Sequence, residues 1–396
     1  MARLVHHLAK GLNDGNVVLS CFYDLKKAFD RVWHKGLLHK LERYGVRANA
    51  HAWIAHYLSN RKQCVRVNGT TSTWLEVPAG VPQGSVLGPL LFLAYTIDLP
   101  LHVTTTSTQV DQFADDTALT TIRSTCAAAT HDLQESVNAT GQWLSAWHLA
   151  VNREKTVIME FSRRTLPSNF AISLNDQTLT KVHTQRHLGL MLTSDLRWTA
   201  HVDHILAKVA PLLGTLKRLR SSLSKQALSV YYQLYIRPSL EYASIAWSHL
   251  PSSLTDRLER YQRRAAKIIL RQPLYKPSNH DALLAALGWP SLESRRKYNL
   301  ALLGHELACG TAPPHIQQEC FPARSLSHNL RQPGHFDTPI ANATYYRMSP
   351  LFSASTIYNN LPKYLQEIRR KKQFQTEAKM YLLSSKCPCS QHIRPT

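Results

Sequence analysis

Three features of the sequence predict an α+β fold. Short apolar or alternating runs of strand length recur through residues 1–165, with helical spacing between them. Asn68-Gly69 joins two of these runs in the way an antiparallel hairpin turn does. From about residue 200 the strand signals stop and amphipathic helical stretches take over. Hairpins mixed with helices in one half, and helices alone in the other, indicate a sheet domain followed by a helical one.

Taken in order, Val17–Tyr23 (VVLSCFY) is an apolar run of the length of a buried strand. Leu37, Leu38 and Leu41 then fall at helical spacing, as do Trp53, Ile54, Tyr57 and Leu58. Gln63–Val67 alternates faces as a strand does, and Ser72–Val77 is its expected return strand. Val86–Ile97 reads as an apolar helix after an entry rich in Gly and Pro. Val110–Leu119 reads as a second hairpin with two acidic residues at its tip. Ala127–Trp147 is helical, with Leu133, Val137 and Leu144 on one face, and Thr156–Phe161 is again a strand. Val202–Arg220, Ser224–Trp247 and Ser253–Leu270 read as helices, the first two interrupted by Pro211 and Pro238, which should kink or split them. A boundary is expected near 275. Residues 310–345, rich in Pro, Ser, His and Gln, are the stretch expected to be least ordered.

Composition narrows the function. The chain of 396 residues carries 47 Lys+Arg against 26 Asp+Glu, a formal charge of +21. The excess is uneven: +5 over residues 1–200 and +16 over 201–396. An excess concentrated in one half implies a polyanionic partner, most often nucleic acid. No apolar run is long enough for a membrane span, and the first residues lack the apolar core of a secretory signal. The expectation is therefore an intracellular protein of nucleus or cytoplasm, not secreted and without membrane partners. Seven scattered cysteines fit reduced thiols. Cys387 and Cys389, two apart with His392 nearby, make a poor metal knuckle.

Three acids carry the chemical interest. Asp24 ends the first buried strand, where a carboxylate is costly unless solvated, paired or metal-bound. By itself it reads as a strand-ending cap. Asp115 and Asp116 stand together in QFADDTAL, and an isolated pair of this kind is an ordinary solvated turn. Adjacent carboxylates repel, however, and Mg²⁺, which prefers carboxylate and phosphate oxygens, relieves the repulsion. If Asp24 comes alongside, the three form the constellation used by paired metal ions in nucleotidyl transfer. Between them, AGVPQGSVLGPLLF holds Gly80, Gly84 and Gly88 with Pro82 and Pro89. This is either a loop of close backbone approach that accepts a nucleotide or a tight strand–helix connection.

FYDLKKAFDRVWH, GVPQGSVLGPLLF, QFADD, LAVNREKT and HLGLML stand in the order of motifs A to E of reverse transcriptases. The text between them, with LYIRPSLEYASIAW downstream, resembles the LINE-type, non-LTR, jockey-like retrotransposon polymerases. The resemblance is strong over about residues 1–275. It is faint through SPLFSASTIYNNLPKYLQ, which resembles the end of those polyproteins. It implies a right-hand polymerase palm with a ferredoxin-like antiparallel sheet over 1–165, a primer-grip region over 166–200, a helical thumb over 201–275 and a small basic region over 276–396. It also implies an RNA-directed DNA polymerase that adds dNTPs to a DNA primer on an RNA template. Two Mg²⁺ ions would serve it, with Mn²⁺ as a substitute.

Residue by residue, the resemblance makes Asp24 and Asp115 the principal metal ligands, helped by the Leu25 carbonyl, with Asp116 the second carboxylate of its motif. Phe29 matches the bulky residue that blocks a ribose 2′-hydroxyl. Pro82, Gln83 and Gly84 match the loop that positions template and nucleotide, and Lys155 matches a general acid for the pyrophosphate leaving group. His187, Leu188 and Gly189 match the primer grip, although many relatives place an aromatic where His187 stands. Only 23 residues precede Asp24, so the fingers of such a polymerase are expected to be largely absent and the element 5′-truncated. The rival expectation is an inactive, nucleic-acid-binding remnant of the same fold. A metal-dependent nuclease, which needs neither the GVPQG loop nor Phe29, ranks below both. The sequence sets no oligomeric state.

Arg257, Arg260, Arg264, Lys267 and Arg271 recur at steps of three and four, which puts five cations on one helix face. Leu254, Leu258, Tyr261, Ala265 and Ile268 form the other face. Acidic neighbours are few, so the stripe is expected to meet a phosphate backbone. Lys217, Arg218, Arg220 and Lys225 are expected to add to it, and Arg369–Lys372 is a late basic run. Tyr231, Tyr232, Tyr235, Tyr242 and Trp247, at helical spacing, are expected in the core.

Overall fold

The computed structural model describes residues 1–103, 107–161, 170–319, 321, 336–338, 341 and 344–383. Cys387, Cys389, His392 and most of the 310–345 stretch expected to be poorly ordered after residue 321 lie outside the described residues. Two compact units are present: Gly15–His187, and Met1–Asp14 together with Leu188–Thr396.

The first unit is built on a five-stranded sheet. Its strands are β1 (Val17–Tyr23), β2 (Thr108–Phe113), β3 (Asp116–Arg123), β4 (Val157–Phe161) and β5 (Thr180–Lys181), in the spatial order β5-β4-β1-β3-β2. Every residue of β1 is buried, which is why it reads as one continuous apolar run and not as an alternation. It pairs antiparallel with β3, from Val17 opposite Arg123 to Tyr23 opposite Thr117. On its other edge it pairs antiparallel with β4. The sheet is mixed, not wholly antiparallel as expected, because β5 runs parallel to β4. Two residues left no period for the sequence to show.

Helix α1 (Ala2–Asn13) belongs to the second unit. In the first, α2 (His34–Arg43), α3 (Ala48–Leu58), α4 (Leu87–Thr96) and α5 (Cys126–Ala146) surround the sheet. The Thr125 hydroxyl accepts from Ala128 N–H and caps α5. Leu133, Val137 and Leu144 of α5 enter a core with Leu19, Cys21 and Tyr23 of β1. Lys40 is buried on α2, donating to Tyr95 O at 2.6 Å and to Asp98, with its ammonium 3.6 Å from the Trp147 ring centre. Those partners satisfy a charge that burial alone would make costly.

The Asn68-Gly69 hairpin forms, but in short pieces: Arg66–Val67 with Thr70–Thr71, and Lys62–Gln63 with Leu75–Glu76. All four pieces are exposed. The alternation in Gln63–Val67 therefore buries no face, and nothing packs the ladder into a long strand.

The second unit is helical. Helix α6 (Thr199–Leu219) runs through Pro211, with Leu206, Val209, Leu213 and Leu216 buried on both sides of it. Packing on both flanks outweighs the lost hydrogen bond. The helix expected over 224–247 divides into α7 (Lys225–Tyr231), a π turn over Tyr232–Ile236 and α8 (Arg237–Glu241). Pro238 sits in the first turn of α8, where its missing N–H costs little. Helix α9 (Ser252–Ile269) follows.

Beyond 275 the chain is more than the small basic region expected. Helices α10 (Leu292–Ala308), α11 (Pro350–Asn359) and α12 (Lys371–Leu383) enclose a core that includes Leu300, Leu307, Leu351, Tyr358 and Phe374. Helix α1 joins this unit, with His6 Nδ1 2.9 Å from Ser349 Oγ. Burial lowers the His6 pKa to about 3, so its ring stays neutral there.

Candidate active site

The sheet brings the acids together. Because Tyr23 lies opposite Thr117, the next position outward along the same register sets Asp24 beside Asp116. Phe113 pairs with Asp116 across a two-residue turn, Ala114-Asp115, and Ala114 takes the left-handed φ of 53°. Such a turn follows the twist of paired strands. It leaves Asp115 at the tip and Asp116 at the first rung of β3. All three carboxylates are partly exposed.

Their electrostatics agree with that placement. The Asp116 carboxyl is held above the ordinary carboxylate range, first by burial, then by Asp115, then by Asp24. Among the described residues no three His, Cys, Asp or Glu side chains form a group that could hold a metal ion. The three acids thus adjoin along an open sheet edge, near enough for Asp115 and Asp24 to act on Asp116, without forming the closed metal-holding group expected. An open edge suits a cation such as Mg²⁺, which keeps water and substrate phosphate oxygens in its shell.

The backbone around Asp24 is pinned. Asn152 N–H donates to Asp24 O at 2.7 Å, Lys26 N–H donates to Ala150 O at 2.7 Å, and Leu25 bridges Val151. Asp24 N–H donates to Thr156 Oγ1 at 3.3 Å, and that hydroxyl donates to Asn152 O at 2.9 Å. Lys155 is exposed in the turn closed by these bonds, so the segment that carries it is fixed to the segment that carries Asp24. No local sequence signal marks Thr156. It reads there only as the first residue of a strand.

Phe29 stacks on Phe92, with ring centres 4.4 Å apart and planes inclined by 17°. The loop that follows Ala79 is zipped to the same segment. Val81 N–H donates to Phe29 O and Gly80 N–H to Val32 O, each at 2.8 Å, and Gln83 Nε2 donates to Asp30 Oδ1 at 2.8 Å. His34 Nε2 lies 2.7 Å from Gly80 O. Gly80 has φ +96°, and a Cβ there would stand 2.8 Å from Asp30 Cα. Both facts require glycine. The Ser85 hydroxyl donates to Pro82 O and accepts from Gly88 N–H, which turns the loop into α4. Pro82 is partly exposed, and Gln83 and Gly84 are exposed. Gly80 is thus a position of close backbone approach, as its place in the Gly/Pro-rich loop suggested, whereas its partners Asp30 and His34 carried no sequence signal.

Three expectations are corrected. His187 is 5% exposed and packs on Phe22, ring centres 5.0 Å apart. Burial lowers its pKa to about 4, so it is a neutral core residue and offers no surface to a primer. Leu188 and Gly189 form a left-handed turn in the second unit. The Tyr242 hydroxyl donates to Leu188 O at 3.2 Å, and a Cβ on Gly189 would stand 2.9 Å from the Tyr242 ring. On α9, Lys267 is buried and turns back to the Leu274 and Lys276 carbonyls, because its stem lies against the core and its ammonium must find acceptors. It is not part of a cationic face. Arg257 pairs with Asp203, and Arg271, past the helix end at φ 59°, donates to Leu223 O at 3.4 Å. Arg260 and Arg264 are exposed. The tyrosines also divide: Tyr232 and Trp247 are core, while Tyr235 and Tyr242 are more than half exposed.

The family profile described as reverse transcriptase (RNA-dependent DNA polymerase) matches residues 5–192, the span that contains the acidic edge and the clamped loop. The chain carries a reverse transcriptase domain. It is similar to the RNA-directed DNA polymerase from mobile element jockey of Drosophila melanogaster, 30% identical over 69% of this chain and 30% of the relative. It is also 31% identical to the probable RNA-directed DNA polymerase from transposon BS of the same organism, over 69% of this chain and 31% of that one. The chain thus spans about a third or less of the length of these relatives. Among solved structures, apo telomerase from Candida tropicalis matches 74% of this chain and 50% of its own, at 12% identity and a TM-score of 0.41. Among the described residues no helix is long and apolar enough to cross a membrane.

Proposed function

We propose that this chain is the catalytic part of an RNA-directed DNA polymerase of a non-LTR retrotransposon, extending a DNA primer on an RNA template. The observation that supports the reading is the register of β1 on β3, which runs toward Asp24 and Asp116 and accords with the influence of Asp24 and Asp115 on Asp116; the loop hydrogen-bonded to the Phe29 segment adds to it. In this reading residues 1–165 act as palm, 166–200 as primer-contact region, 201–275 as thumb and 276–396 as a C-terminal accessory region.

Asp24, Asp115, Asp116 and the Leu25 carbonyl are the groups that would hold divalent cations, Mg²⁺ or Mn²⁺. When bound, such ions supply Lewis acidity to the primer 3′-hydroxyl and neutralise triphosphate charge. The chain's own residues do the rest. The bonds from Asn152 and Thr156 hold the Asp24 segment still, so little reorganisation is needed during the reaction. Phe29, braced on Phe92, presents a rigid ring against a ribose 2′-hydroxyl and so selects dNTPs. The Pro82-Gln83-Gly84 loop, tied through Asp30, positions the templating pair. As the 3′-hydroxyl oxygen bonds to the α-phosphorus, its proton passes to solvent water; as the bond to pyrophosphate breaks, Lys155 donates a proton to the departing oxygen.

The test is primer extension by the purified chain on RNA template, DNA primer, dNTPs and Mg²⁺, with template binding measured in parallel. Extension that disappears in Asp115→Ala/Asp116→Ala with binding retained supports the reading. Equal binding with no extension by either protein leaves an inactive, nucleic-acid-binding remnant.

A further inference from the structure

The first unit contains a cavity of about 580 Å³ beside the segment that follows Asp24. Leu144, Leu149 and Leu174 line it and are themselves buried, so part of its surface is apolar. The charged lining is Lys26, Arg31 and Arg153 against one acid, Glu154, and all four are exposed. None of the three cations is in an ion pair among the described residues. Arg153 alone of them has a side-chain hydrogen bond, from Nη1 to Gln177 Oε1 at 2.8 Å. Unpaired like charges around an apolar hollow repel one another and focus a positive field within it.

The walls are tied to one another. Lys26 N–H donates to Ala150 O and Leu25 bridges Val151, which fixes the Lys26 segment to the turn that carries Arg153. Another wall is the hairpin of Ser173–Leu174 with Gln177–Thr178, which Arg153 joins through Gln177. Gln134 of α5 holds the same hairpin twice, donating to Ser173 O and accepting from Ser173 N–H, each at 2.8 Å. Gly141 of α5 admits Leu174 closely, since a Cβ there would stand 2.9 Å from Leu174 Cδ1. The cavity is preformed, so an anion entering it orders only the ends of a few side chains. Its volume lies within the range of small-molecule sites. Arg153 and Glu154 share the Asn152–Thr156 turn with Lys155, and Lys26 is two residues from Asp24.

We propose that this cavity binds an oligophosphate, and that Lys26, Arg31 and Arg153 receive the pyrophosphate released at the acidic edge. The source of the ligand rests on the polymerase reading, whereas the cavity's affinity for oligophosphate does not. Pyrophosphate offers clustered acceptor oxygens and several negative charges. Arginine forks meet such oxygens through paired N–H donors, and lysine adds a point charge. Glu154 opposes the anion and holds the affinity down, which suits a product that must leave.

The experiment titrates inorganic pyrophosphate into the full chain in EDTA, where the acidic edge repels the anion. Saturable binding is expected. It should weaken about fivefold or more in each of Lys26→Ala, Arg31→Ala and Arg153→Ala, and tighten in Glu154→Gln. Arg260→Ala removes the same charge from the second unit and should bind as the parent does. Thermal melting checks that each variant is folded, and the exposed Lys26 and Arg31 keep the test valid if Arg153→Ala loosens the hairpin. A short single-stranded RNA should bind the three cavity variants as it binds the parent. If pyrophosphate binds and responds as expected but the chain extends no primer, the oligophosphate site stands and its place in the reaction falls with the polymerase reading. If the chain extends primers but pyrophosphate shows no saturable binding, the proposal alone is overturned. An equal loss in Arg260→Ala would mean attraction to net charge only. RNA weakened in the cavity variants with pyrophosphate unchanged would mean a strand contact. Either result also overturns the proposal.

Discussion

The acidic edge and the basic helix were both legible as patterns, yet they fared differently in three dimensions. At the edge of the sheet, the main-chain ladders end at Tyr23 opposite Thr117 and Phe113 opposite Asp116, so Asp24, Asp115 and Asp116 all lie at the same end of neighbouring strands. Hydrogen-bonded register leaves their Cα positions little freedom, whatever the side chains prefer. On α9 the period of 3.6 puts five cations in a row, but long flexible stems choose their own partners. Lys267 turns inward to carbonyls, Arg257 takes Asp203, and only part of the stripe faces outward. A pattern of short side chains on paired strands thus survives folding better than a pattern of long ones on a helix.

The sharpest way to break this comparison is at the edge itself. Asp115→Asn keeps the turn and its size but removes a charge, and extension is expected to fall on the order of 10³-fold with little change in template binding. An activity within about tenfold of the parent would mean that register alone does not make a site. Next in size is Gly80→Ala. Its Cβ would press on Asp30 backbone atoms at 2.8 and 2.9 Å, so a loss of about 2 kcal/mol is expected in urea unfolding. A neutral result would show that the loop is not held against the Phe29 segment.

The helix offers a finer contrast. Arg260→Ala and Arg264→Ala should each lower the slope of log affinity for RNA against log salt by about one, with little effect on stability. Lys267→Ala should do the reverse, leaving the slope alone and costing about 1–2 kcal/mol of stability through two lost carbonyl bonds. Equal slopes for all three would return Lys267 to the cationic face.

The smallest effect concerns Asp116. Its pKa is raised in the folded chain, so the folded state holds that proton more tightly than the unfolded one. The stabilisation is complete below the ordinary carboxylate pKa and is lost as pH rises through the raised value. At neutral pH the charged group therefore works against folding. Asp116→Asn is expected to raise Tm slightly in EDTA at pH 7, with the gain vanishing toward acid pH. Added Mg²⁺ should raise Tm of the parent more than that of the variant, by relieving the same repulsion. A lower Tm for the variant at neutral pH would remove the electrostatic argument for the acidic edge.

By itself the sequence determined the elements whose signals are local. The apolar run of β1 is found at Val17–Tyr23 as read, the acidic hairpin tip is where the turn signal put it, and the helix over Ala127–Trp147 is found as α5, shifted by one residue. The ordered motifs also point to the reverse transcriptase family. Tertiary structure alone decided the rest. It made β5 parallel, carried α6 through Pro211, gathered a core from α10 to α12 and drew α1 into that unit. It also buried His187 and Lys267, and it supplied Asp30, His34 and Thr156 as partners of the loop and of the Asp24 segment. The physical reason is one of range. Propensity, turn chemistry and periodicity act over a few residues, whereas burial and the search of each polar atom for a partner depend on whichever distant segment arrives beside it.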